Sequence, residues 1–232
     1  MPVEFVFSSK IQRMTKPKTS PLYFLFGVIA IIVIATFFGP QEKALGANVR
    51  LVYLHGAWVL TAEVAFTAAA LMGALGLLAR TIAVLAARED FFHGWSQALG
   101  RTGIVFWVTY LPLSLWTMKS NWNGLFLAEP RFRLALTFAV VGVLLQVGLW
   151  VIANKLLTSA ANIAYIIVLR ALFATAANIM HPPPSPIFNS GKFDIIAFFV
   201  GLNLLTWLAA YFMTRSWLDL AQKPGKIEKT AG

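Results

Sequence analysis

Three side chains in this sequence are of a type that ligates metal or moves protons near neutral pH: His55, His93 and His181. His55 stands in Tyr53-Leu-His-Gly-Ala-Trp58 and His181 in Asn178-Ile-Met-His-Pro-Pro-Pro184, 126 residues apart. Each borders a long apolar run. Two neutral imidazoles at matching depth on different helices can supply both axial ligands of a haem iron. Each also reads as an interfacial side chain with a wet tip, and spacing leaves both readings open. His93, beside Arg88, Glu89 and Asp90, reads as a solvated interfacial histidine. The absence of cysteine excludes disulfides, thiolate metal sites, iron–sulfur clusters and covalent haem attachment. No nucleophile–base motif, phosphate-cradling loop or zinc or calcium box is legible, so the chain is not expected to be an enzyme.

The elements that must hold these residues are membrane helices. Of 232 residues, 59% are hydrophobic and 12% charged, about half the charged fraction of a soluble domain, whose surface must face water. The apolar runs are long enough to cross roughly 30 Å of hydrocarbon as helices, and the alternating ten-residue pattern of barrel strands is missing. The expectation is an all-α, six-span bundle with spans at 21–39, 51–79, 102–118, 134–153, 157–178 and 195–213. A basic segment, 1–20, precedes it and a basic tail, 216–232, follows it. The first run lacks a small-residue cleavage site and reads as a retained span.

With the N-terminus inside, 12 of the 19 Lys and Arg fall on inner segments and 7 at most on outer ones. That bias places both termini in the cytoplasm, with His55 and His181 at the outer face. It also explains the net charge of +10 by contact with membrane lipid rather than by nucleic acid. The segment 80–101, with Phe91, Phe92, Trp95 and Leu99, reads as amphipathic and lying along the inner interface.

Inside the spans, Glu63 lies two turns below His55 and Arg170 three turns below His181. The favoured reading is an ion pair across spans 2 and 5; the other is a polar path beneath the histidines. Gln146, Asn154, Asn162 and Asn203 read as interhelical hydrogen-bond donors, and the run Ala68 to Gly76 as a site of close helix approach.

On His55-Gly-Ala-Trp58, Asn178-Ile-Met-His181, Leu115-Trp116 and the loop Trp122 to Arg131, the chain resembles the cytochrome c assembly family of membrane haem-handling proteins. The similarity is greatest to its six-span haem exporter protein C and covers roughly residues 20–215. The resemblance implies non-covalent haem b held at the outer face by His55 and His181. Trp58, Trp116, Trp122, Phe126 and Glu129 would line or gate the site, and Arg131 would meet a propionate. It further implies haem transport for c-type cytochrome biogenesis at a bacterial inner membrane, with other membrane subunits, a haem chaperone or an apocytochrome as partners. Several residues depart from the family pattern. Leu125, Phe126 and Ala128 replace much of its tryptophan-rich loop, Glu129 replaces an aspartate, and Ala176-Ala177 replace paired tryptophans. These losses favour an alternative: a derived member serving as a structural or haem-retaining electron-transfer subunit of a larger membrane complex.

Overall fold

The computed structural model describes residues 19–177 and 187–221. Over these residues the chain is all-helical: α1 (Pro21–Phe38), α2 (Val49–Leu78), a single turn α3 (Ala83–Ala86), α4 (Glu89–Trp122), α5 (Pro130–Ile152), α6 (Lys155–Thr175) and α7 (Phe193–Ala221). Helix ends follow local chemistry. Ser20 caps α1 through its side chain ahead of Pro21, and Pro130 opens α5 at a position that needs no N–H. Asn123 ends α4 and Ala153 ends α5 in the left-handed region, at φ 51° and 53°. The Asn154 side chain accepts from the N–H groups of Leu156 and Leu157, so this asparagine caps α6 instead of bridging helices as expected.

Among the described residues, five helices are long and apolar enough to cross a membrane: α1, α2, α5, α6 and α7. The expected third span, 102–118, is the C-terminal half of the 34-residue α4. It carries no charge, but Thr102, Thr109, Tyr110, Ser114 and Thr117 dilute its apolar character. Residues 89–101, part of the segment 80–101 expected to lie along the inner interface, form the first part of α4 and run unbroken into the expected third span. The expected fifth span is also shorter, because helix α6 stops at Thr175. The last helix instead runs on to Ala221, beyond the expected 213.

Helix α2 is the hub, packing on α4 along much of its length and also on α6 and α7; α1 leans on α7. The reason is a ridge of buried residues at every fourth position, Ala57, Thr61, Ala65, Ala69 and Gly73, narrow enough for close helix approach. On α4, a Cβ at Gly103 would sit 2.5 Å from the Phe66 ring, so only glycine admits that ring. Polar side chains buried between helices bond in pairs: Thr61 Oγ1 to Thr206 Oγ1 at 2.7 Å and Thr102 Oγ1 to Thr214 Oγ1 at 2.9 Å. Gln146 Nε2 donates to Asn162 Oδ1, and Asn162 Nδ2 to the Ser96 carbonyl, joining α5, α6 and α4. Asn203 turns inward on its own helix, donating to the Phe199 carbonyl.

Candidate functional site at one end of the bundle

The helices alternate in direction, so the start of α2, the end of α4, the start of α5 and the end of α6 meet at one end of the bundle. A cavity of about 170 Å³ lies there. His55 enters it from the second turn of α2, and Trp122 from the last residue of α4. Glu129, which precedes α5, and Arg131 in its first turn complete the polar wall. Four residues expected from the sequence to share a site therefore line one cavity. Glu129 is only 7% exposed. Arg131 Nε is buried and makes no hydrogen bond among the described residues.

The other walls carry residues the sequence reading passed over. Tyr110, Ser114, Thr117 and Met118 come from one face of α4. The Tyr110 ring tilts against His55 with centroids 5.6 Å apart. Their signal was present: 110, 114, 117 and 118 recur at helical spacing within an apolar span, which marks one polar stripe.

Three expected lining residues lie elsewhere. Trp58 faces away, its Nε1 donating to Thr109 Oγ1 at 2.8 Å and its ring resting on Phe106. It is three residues beyond His55, a rotation of about 300° on a helix, which sets its contacts on a neighbouring sector. Trp116 is 59% exposed on the outer side of α4, turned about 100° round the helix from its neighbour Thr117. Phe126 packs over Gly124 in the loop, 40% exposed, and does not line the cavity. The remaining expected ligand, His181, lies outside the described residues.

Beneath the cavity, Arg170 Nη1 donates to Glu63 Oε2 at 2.7 Å, joining α6 to α2. Arg131 is within electrostatic reach of the same carboxylate. The pair thus sits next to the cavity's cationic wall.

At the opposite end the structure corrects the reading of His93. It is 3% exposed, not solvated. Its Nδ1 lies 2.7 Å from Ser159 Oγ, its Nε2 lies 3.8 Å from Glu89, and its ring fills the space a Cβ at Gly76 would need, 2.7 Å away. This is a serine–histidine–carboxylate grouping from α6 and α4 that no sequence spacing announced. Ser159 is fully buried, so no substrate reaches its hydroxyl, and the grouping reads as helix packing. Burial pushes the imidazole below the usual histidine value. Lys155 and, less strongly, Arg80 act in the same direction, and Glu89 and Asp90 act against it. The unfolded chain therefore binds a proton more readily, and His93 contributes stability that is present above about pH 6.5 and lost as pH falls below it. Thermal unfolding at pH 7.5 and 5.5 should show a lower midpoint at pH 5.5. In His93→Asn that difference should shrink; an unchanged difference would assign the slope to another group.

Searches against protein-family models, curated proteins and solved structures return no match.

Proposed function

We propose that this chain is a membrane haem-binding protein of the cytochrome c assembly type, six-spanning with both termini in the cytoplasm. Its cavity, at the outer face, holds haem b for c-type cytochrome maturation. The observation that carries the reading is the convergence of His55, Trp122, Glu129 and Arg131, distant in sequence, on a single cavity. The donor set suits the group. A neutral imidazole can ligate the iron, a half-buried guanidinium whose buried Nε–H is unused suits a propionate, and Trp122, Phe132 and Phe173 offer apolar faces to a porphyrin. Size narrows the fit. About 170 Å³ is below the roughly 300–1,000 Å³ of most organic-ligand pockets, so part of a porphyrin would lie outside the described walls.

In this reading His55 and His181 would hold the iron, and Met118 adds a thioether to the same wall as His55. Bound haem would supply an iron that cycles between ferric and ferrous states. Arg131 fixes the ring's orientation through a propionate, and Tyr110 braces the imidazole. The inner ends of the spans carry the excess of Lys and Arg, which supports this orientation. The alternative, a haem-retaining or structural subunit of a larger membrane complex, draws support from the loop. There Leu125, Phe126 and Leu127 are 56%, 40% and 53% exposed, an apolar edge suited to a neighbouring subunit.

The test is the visible spectrum of the purified full-length protein, as isolated and after addition of hemin. A sharp Soret band that shifts on reduction, with a resolved α band, is the expected result. A protein that stays colourless and leaves hemin in its free form contradicts the proposal. Transfer and retention then separate by whether haem leaves for an added apocytochrome.

A further inference from the structure

A second and larger cavity, of about 760 Å³, opens between α4, α5 and α7 at the end of the bundle away from His55. Arg101 projects into it from α4, its guanidinium 5.8 Å above the Trp217 ring of α7. Among the described residues no carboxylate comes within ion-pairing distance of Arg101, and no acidic side chain lines the cavity. Lys155 stands at the rim but is held by Glu89 and Asp90 at 2.9 and 2.7 Å, so Arg101 carries the uncompensated charge. Trp217 Nε1 is buried without a hydrogen-bond partner among the described residues, and Gln97 and Gln146 add amides. The walls are otherwise apolar. Trp150, 68% exposed in the last turn of α5, marks the depth at which tryptophan favours the boundary between hydrocarbon and headgroups.

We propose that this groove binds one anionic phospholipid of the leaflet at that end. Its phosphate meets Arg101 and the Trp217 N–H, and its acyl chains lie along Trp150 and the neighbouring apolar wall. Charge complementarity selects the occupant: a lone half-buried cation with unused N–H donors calls for an anion, and the apolar walls call for chains attached to it. The inference rests on the bundle standing in a bilayer and is independent of haem.

The experiment uses the full-length protein in nanodiscs of equal phosphatidylglycerol and phosphatidylcholine, with retained lipid counted by native mass spectrometry. One phosphatidylglycerol should stay bound in preference to phosphatidylcholine. Arg101→Gln should lower that retention about tenfold, Arg101→Lys by less, and Trp217→Phe, which keeps a ring but removes the donor, should lower it measurably. Helical circular dichroism identifies a variant that fails to fold, and Trp217→Phe then carries the test alone. Equal retention of the two lipids, or loss of neither with Arg101→Gln nor with Trp217→Phe, overturns the proposal. So does displacement by inorganic phosphate, which would make this a free-anion site. Binding that appears only after residues 222–232 are removed would assign the groove to the chain's own tail. A protein that retains no lipid of either kind would instead count against the bilayer placement itself.

Discussion

Replacing His55 with alanine should weaken hemin binding by at least about a hundredfold while leaving the helical content of the protein unchanged. The magnitude follows from what is removed. Loss of a residue that merely supports a metal ligand typically costs 10- to 100-fold in affinity, and loss of the ligand itself should cost no less. The fold should tolerate the change because His55 enters a cavity and does not belong to the buried ridge of α2, which runs through Tyr53 and Ala57. Added imidazole should restore part of the Soret band in His55→Ala, because a free ligand of the same chemistry can enter the space left. It should do nothing for Arg131→Ala, where the missing group is a charge on the wall. If His55→Ala binds hemin as the unaltered protein does, His55 is a packing residue beside Tyr110 and the cavity has another use.

The second large effect concerns stability. Removing the carboxylate in Glu63→Ala should cost about 3 kcal/mol, read as a fall of roughly 6–12 °C in the unfolding midpoint in detergent. The pair is asymmetric. The Arg170 side chain is 62% exposed on the bundle surface and Glu63 only 20%. Without Glu63, a guanidinium that cannot release its proton is left facing hydrocarbon. In Arg170→Ala the remaining carboxyl can take up a proton, and Arg131 is still within reach of it. Glu63→Ala should therefore destabilise more than Arg170→Ala, and the double variant should recover most of the loss. Equal single-variant losses that add in the double variant would mean that the two groups act separately.

The helices were legible because long apolar runs and their caps are local features. The boundaries that moved did so for tertiary reasons. The polar head of α4 looks interfacial by itself, but packing against Gly73, Gly76 and Ser159 carries the helix unbroken from Glu89 to Trp122. His93 shows the same limit: three neighbouring charges make it look solvated, whereas glycine on another helix makes room to bury it. At the cavity, His55, Trp122, Glu129 and Arg131 were legible because they border spans on one side of the bundle. Trp58, Trp116 and Phe126 were misplaced because an aromatic near a ligand in sequence need not share its sector of the helix. Tyr110 and Met118 are marked only by helical spacing, a weaker signal than the polar loop that follows them.

The most direct test of haem ligation at this cavity is electron paramagnetic resonance of the ferric protein after stoichiometric hemin addition. Two imidazole ligands give a low-spin signal, which should be present in the unaltered protein and in His93→Asn. It should collapse to high-spin haem in both His55→Ala and His181→Ala. A high-spin or free-hemin signal from the unaltered protein, or a low-spin signal that survives His55→Ala, would contradict the assignment of His55 as an axial ligand.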